Sequence, residues 1–416
     1  LSSTLAFSTW AASVRAGRLD YLLDGFKKLP LSVQVQDERF WREIKYAYTV
    51  SPALVNLNNG GVSPQPRVVQ EAVEHYNRMS NETPSFYMWR ILDKGREPLR
   101  SKLANLAGCS SEEIAVNRNA SEALETVIFG LRLQRGDEVV VSAYDYPNME
   151  NAWKQRAHRE GVVLKTAAFD PIHDDEETIL KAYTQAFSRN TKVVHITHMI
   201  NWNGRILPAR KIAEAARKQQ IEVLVDGAHS FAHLQYNIPD LQCDYFGTSL
   251  HKWLCAPYGS GMLYVRKNKI KNLYPLFASP DPEQQDIRKF ENLGTRSFAI
   301  EQSIPHAIDF HQLIGAALKE QRLRYLRDYW VDRLKESVPG LELHTPGGPD
   351  RSCALSLFSV KGKDNTKLAN ALFRKYQIHT VSIQKGVLSG IRITPNVYTL
   401  EEDLDRFIAA VRLITT

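Results

Sequence analysis

The sequence predicts an α/β protein, with a mostly parallel sheet flanked by helices and a smaller α+β domain at its C-terminal end. Three observations predict it. From about residue 110, short apolar runs alternate with helical patterns of about 10–15 residues, the signature of strands buried on both faces between crossover helices. After about residue 305 that alternation gives way to one long helical stretch followed by shorter strands. The chain has 416 residues, 43% of them hydrophobic and 24% charged, which suits two or three globular domains and excludes a disordered chain or a disulfide-stapled miniature.

Residues 13–50 carry mixed charges and Trp-containing helical patterns such as ERFWREIKYAY. VNLNNGGVSP (55–64) reads as a strand ending in a Gly-rich turn, and RVVQEAVEHYNRM (67–79) has helical spacing. EIAV (113–116) is a short strand, SEALETVIFGLRL (121–133) a helix and DEVVVSA (137–143) a strand. NMENAWKQRAHRE (148–160) is helical, and VVLKTAAF (162–169) and TKVVHITHM (191–199) are strands. PARKIAEAARKQQ (208–220) is a helix leading into the strand IEVLVDGA (221–228), and two more strands follow at 243–252 and 259–267. Beyond a boundary near 304, a long helical stretch over 306–336 precedes the strands CALSLFSV, IHTVSI and GIRIT and the helix EEDLDRFIAAVRLI. The expected division is therefore an N-terminal helical extension over 1–54 packing on the rest, a large domain over 55–304 and a small domain over 305–416.

No stretch approaches the roughly 18 uncharged apolar residues of a membrane span. Cys109, Cys243, Cys255 and Cys353 form no CxxC pair or zinc spacing and read as buried small hydrophobes. The charge of +7 comes from 53 Lys+Arg against 46 Asp+Glu without any block of five basic residues, so nucleic acid is not an expected partner. LSSTLAFSTWAA (1–12) resembles the trailing end of a secretory leader. A leader there implies an exported or periplasmic protein; a trimmed apolar helix leaves a cytoplasmic one.

The chemistry gathers around Asp226 and Lys252. Asp226 follows the apolar run EVLV and so ends a strand, and Lys252 comes after the next strand, in SLHKWLCAPYGSG. Ligands of parallel sheets bind beyond the C-terminal strand ends, which brings the acid and the amine to one crevice. Taken singly, such an acid caps a turn and such a lysine is solvated. Together they suit pyridoxal phosphate, whose aldehyde takes a lysine Schiff base and whose ring nitrogen needs a carboxylate. The phosphate needs a cradle, and NRNASEALETV offers a helix start with Asn119 as N-cap and Glu122 closing a capping box. That start presents Ala120 and Ser121 to an anion, and Ser249 and His251 add donors next to Lys252.

LNNG (57–60), VDGAHS (225–230), GTSLHKW (247–253), GSGMLYV (259–265), ENLGTRS (291–297) and GIRITPNVYT (390–399) resemble, in combination and in order along the chain, the class V aminotransferase family of fold-type-I pyridoxal phosphate enzymes. The likeness runs from about residue 55 to the end and is greatest to the isopenicillin N epimerase-like branch, related to cysteine desulfurases and kynureninases. The resemblance implies a Schiff base on Lys252, with Asp226 at the pyridine nitrogen and His229 at the ring hydroxyl. It implies phosphate contacts from Ala120, Ser121, Ser249 and His251, and from Thr295 across a homodimer. An aromatic residue stacks on the ring, Tyr146 or, failing that, Tyr144. Arg392 grips the substrate α-carboxylate, assisted by Asn201, with Asn59 lining the same pocket. Desulfurases carry a cysteine shortly before that arginine; SIQKGVLSGIR has none.

The expected function is an enzyme acting at Cα of a small-molecule amino acid, an epimerase or a transaminase. The alternatives are a cysteine-independent C–S or C–Se β-lyase and, more distantly, an amino-acid-sensing regulator built on the same cofactor site.

Overall fold

The computed structural model describes residues 26–415, so the leader-like 1–12 lie outside the described residues. Strand β1 (Val55–Asn56) precedes a seven-stranded sheet built from β2 (Ile114–Asn117), β3 (Glu138–Ser142), β4 (Val163–Ala167), β5 (Thr191–Thr197), β6 (Glu222–Asp226), β7 (Tyr245–Ser249) and β8 (Gly261–Val265). Its order is β2-β8-β7-β6-β5-β3-β4, and β8 alone runs against the other six. Interior strands such as β7 and β8 are buried throughout, whereas the edge strand β4 (VLKTA) is largely exposed and carries Lys165, a charge that discourages edge pairing. Because six strands point one way, β2, β3, β5, β6 and β7 all deliver their last residues to the same edge.

A four-stranded antiparallel sheet follows, from β9 (Leu341–Leu343), β10 (Ser356–Val360), β12 (Val381–Lys385) and β13 (Leu388–Ile393), in the order β12-β13-β10-β9. The two-residue β11 (Ile378–His379) pairs in parallel with β1. Residues 55–58, grouped by sequence with the large domain, are thus stitched to the C-terminal part.

Helices α1 (Leu31–Gln36) and α2 (Glu38–Tyr46) bury Val35, Phe40, Trp41 and Ile44. They are followed by α3 (Arg67–Glu82), α4 (Arg96–Ala107), α5 (Ala120–Gly130), α6 (Pro147–Glu160), α7 (Glu176–Gln185) and α8 (Ala209–Lys218). Helix α7, which the periodicity reading omits, starts at an Asp175 cap whose carboxylate accepts from the Thr178 N–H at 2.8 Å. The long helical stretch over 306–336 is built from two helices, α9 (Phe298–Ile314) and α10 (Ala316–Ser337), split at Gly315, whose φ of 90° no helix accommodates. The C-terminal pair is α11 (Asn365–Tyr376) and α12 (Glu401–Thr415). Buried Arg322 on α10 donates to the Val35 carbonyl (2.9 Å) and to Glu38 Oε1 (2.5 Å), and Lys45 pairs with Asp403 at 2.8 Å, so residues 31–46 pack on α10 and α12. Among the described residues no helix is long and apolar enough to cross a membrane.

Gly204 shows how tightly the two sheets are joined. Its φ is 79°, and a Cβ there would meet the Leu355 carbonyl oxygen at 2.0 Å. Gly136 has a similar φ of 89° with open space around it. Both Ala substitutions carry the left-handed backbone penalty, so Gly204→Ala is expected to cost about 1–3 kcal/mol more than Gly136→Ala by urea unfolding. Equal losses would mean that the junction yields.

Candidate active site

Asp226 ends β6 because the apolar run before it needs burial and the next residues turn away. It is 4% exposed, and its Oδ1 accepts from the Ala228 N–H at 2.8 Å. Burial, above all, pushes this carboxyl up. Next to β6, β7 ends at Ser249, and the chain then places Lys252 Nζ 3.0 Å from His229 Nε2. Burial lowers the Lys252 amine to about 8; nearby Asp226 opposes that shift and Arg392 adds to it. His229 is held neutral chiefly by burial, then by the Lys252 and Arg392 charges, and its Nδ1 has no protein partner. The imidazole Nε2 is therefore the acceptor and the amine the donor.

Asn119 caps α5 as expected, accepting from the Glu122 N–H at 2.9 Å. The capping box does not close. Glu122 reaches past Asn119 to the Arg118 N–H (2.7 Å) and pairs with the Arg118 side chain, because a guanidinium is the stronger partner. The Ala120 N–H donates to Ser249 Oγ at 2.9 Å, which joins the helix start to the Lys252 strand, and Ser121 occupies the same first turn. Half-buried His251 leaves its Nδ1 without a partner.

Tyr146 is the N-cap residue of α6; its ring is 40% exposed and lies 5.9 Å from Lys252 Nζ. Tyr144 instead is buried against Phe169, with its carbonyl accepting from Trp202 Nε1 at 3.1 Å, so Tyr146 is the ring facing the amine. Arg392 on β13 is 8% exposed. Its Nη1 donates to the Asn201 carbonyl at 2.7 Å and its Nη2 to Asn58 Oδ1 at 3.0 Å, while Nε is buried without a partner. Burial brings this guanidinium down to about 10. Asn201 therefore holds Arg392 by its main chain and keeps its own Oδ1 unpartnered.

One expected residue is placed elsewhere. Asn59 is fully buried, its amide donating to the Thr394 carbonyl (2.8 Å) and its oxygen accepting from Tyr398 (2.5 Å), so it braces the junction and Asn58, one residue earlier, reaches the arginine. Neither asparagine lies in β1: Asn58 is bridged to Thr394, and Asn59 begins the turn that follows. Thr295, expected to serve the neighbouring subunit, is exposed on the segment 292–297, where Arg296 pairs with Asp93 and Glu301.

The family model Aminotransferase class-V matches residues 55–407. The chain belongs to the class V aminotransferase family. It is 29% identical over 392 residues to isopenicillin N epimerase of Streptomyces clavuligerus, covering 90% of this chain and 98% of that one. It is 30% identical over 325 residues to a probable cysteine desulfurase of Halalkalibacterium halodurans, covering 74% and 78% respectively. Among solved structures, a C-DES mutant with glycine covalently linked to its PLP cofactor superposes with a TM-score of 0.81 at 20% identity, over 88% of this chain and 98% of that one. At that identity the likeness establishes the fold.

Folding buries the Lys252 amine against its charge, which gives a pH-dependent cost. The amine sits at about 8 in the folded chain against 10.5 ordinarily, so the unfolded state binds the extra proton between those values. In cofactor-free protein Lys252→Met is expected to stabilise by about 2–3 kcal/mol at pH 7, the gain shrinking as pH rises from about 8 to above 10. Urea midpoints at pH 7, 9 and 10.5 check it; a pH-independent difference contradicts it.

Proposed function

We propose that the protein labilises the Cα hydrogen of an α-amino acid, with epimerisation or transamination as the outcome, using pyridoxal 5′-phosphate held against Lys252. Pyridoxal 5′-phosphate is the cofactor of this family and of this chain. The reading rests on one observation: the Lys252–His229 contact of 3.0 Å at a strand end shared with buried Asp226.

The residues fit the group. An amine lowered to about 8 suits an aldehyde, the helix start at Ala120 suits a phosphate, and the unpartnered His251 Nδ1, His229 Nδ1 and Asn201 Oδ1 leave polar atoms for a ligand. When bound, the cofactor supplies an electrophilic carbonyl and a ring that delocalises the electron pair left at Cα. Asp226 would hold a proton on the ring nitrogen. His229 would serve the ring hydroxyl, and Tyr146 would cover the ring face. Ala120, Ser121, Ser249 and His251 would hold the phosphate. Arg392 turns its planar fork to the α-carboxylate, pre-oriented by Asn58 and the Asn201 carbonyl. Lys252 would be the base that takes the Cα proton. Return of a proton from the opposite face gives epimerisation, with Tyr146 and His251 as the titratable candidates. Thr295 serves the neighbouring subunit's phosphate in a homodimer, a reading supported by its exposure and by exposed Phe86, Trp89, Tyr258 and Phe277.

Persulfide transfer is disfavoured. The hairpin 381–393 carries no cysteine, burial pushes the Cys109 and Cys353 thiols up to about 12, and buried Cys255 packs its sulfur on the Lys252 and Trp253 carbonyls. β-Elimination from a cysteine-like substrate needs no enzyme thiol and is the second reading.

Amino acids incubated in deuterium oxide are expected to gain Cα deuterium, read by mass spectrometry. Inverted product marks an epimerase, one equivalent of oxo acid per site a transaminase, and pyruvate a lyase. Lys252→Ala is expected to slow exchange by about 10²–10⁴-fold. Arg392→Lys is expected to lower kcat/KM by about 10–100-fold. Wild-type turnover by Lys252→Ala contradicts the reading.

A further inference from the structure

Arg392 sits at the base of the β12–β13 hairpin, opposite Val381, while Lys385 and Leu388 close its tip. The tip makes its own contact with the large sheet's helices. Lys385 Nζ donates to Glu150 Oε1 at 2.5 Å, with both side chains mostly shielded, at 25% and 18% exposure. Glu150 lies in the first turn of α6, the helix that Tyr146 caps; its other cation, Lys154, stands 3.5 Å away and is far more exposed. Lys385 also lies 5.7 Å from the centre of the Trp202 ring, whose indole N–H holds the Tyr144 carbonyl. Gly386 passes close enough to Tyr144 that a Cβ there would be 3.8 Å from its ring. The hairpin is thus held at both ends: at its base by Arg392 on the Asn201 carbonyl, at its tip by Lys385 on Glu150.

We propose that Lys385 and Glu150 are a positioning pair, which locks the hairpin carrying Arg392 onto the helix carrying Tyr146 and so fixes the carboxylate grip relative to the ring-stacking face. The inference rests on the reading of Arg392 and Tyr146 given above. Neither partner touches the reacting atoms. The effect falls on substrate binding, because a hairpin free at its tip pivots about its base and presents the guanidinium over a range of angles. A shielded pair also couples more strongly than a surface one, since less water screens it.

Charge reversal tests this. Lys385→Glu, Glu150→Lys and the double variant are compared by steady-state kinetics on the loaded enzyme and by hydrogen exchange of residues 381–393 in the cofactor-free protein. Each single variant is expected to raise KM for the amino acid about tenfold, with kcat within about threefold of wild type, and to speed hairpin exchange about tenfold. The double variant is expected to restore both to within about threefold, at unchanged thermal midpoint. The pair is overturned if the single variants leave KM and hairpin exchange at wild-type values, or if the double variant is no better than the worse single one. Hairpin exchange needs neither cofactor nor substrate. A hairpin that responds in a protein turning over no amino acid therefore counts against the functional reading and leaves the lock standing.

Discussion

Everything in this site depends on keeping an amine out of water next to a neutral imidazole. The Lys252–His229 contact of 3.0 Å is possible because His229 is too deeply buried to carry a proton of its own. Lys252 then sits near 8, reactive as an amine while still stabilised by Asp226. An isolated ammonium at that depth would be costly; the Asp226 carboxylate and the His229 acceptor offset part of that cost, while the Arg392 guanidinium adds to it. The sheet makes the crevice. Six co-directed strands end at one edge, so Ala120, just beyond β2, and Ser249, at the end of β7, meet although they lie 129 residues apart.

Much of this was legible in the sequence because it is local. An apolar run buried on both faces must end in a turn, and Asp226 is the first polar residue after one. Asn119 announces a helix start, and the start is where it was expected. The misreadings have physical causes of the opposite kind. Glu122 was expected to serve its own N-cap, but the guanidinium of Arg118 competes for it. Asn58 and Asn59 are indistinguishable as letters, and only the turn that begins after Asn58 decides which reaches Arg392 and which is spent on Thr394 and Tyr398. Gly315 sits within a helical pattern and breaks it through one dihedral. Arg392 and Lys385 carry no periodic signal of purpose; the first was visible through its motif, and the second only through a partner 235 residues away.

The surplus of positive charge also has a structural reading. Buried Arg100 is bound to Glu291 at 2.6 Å, Arg322 to Glu38, and Arg96 to both Glu291 and Glu301. These cations join segments far apart in sequence. Buried Lys319 lies fully inside, its amine on the Trp253 carbonyl directly after Lys252, and Lys289 donates to the Ile270 and Pro282 carbonyls. Burial brings both amines down to about 8, like Lys252. A lowered amine is therefore not rare in this protein, and what separates Lys252 from the other two is its company: Asp226 at a strand end, His229 as acceptor and the Tyr146 ring beside it.

That distinction is open to direct measurement. The protein loaded with pyridoxal 5′-phosphate, reduced with borohydride and digested, yields a stable pyridoxyl label whose position mass spectrometry reads. The account predicts one label per chain, on the peptide containing Lys252. A label on Lys319 or Lys289, or none on Lys252, would contradict it.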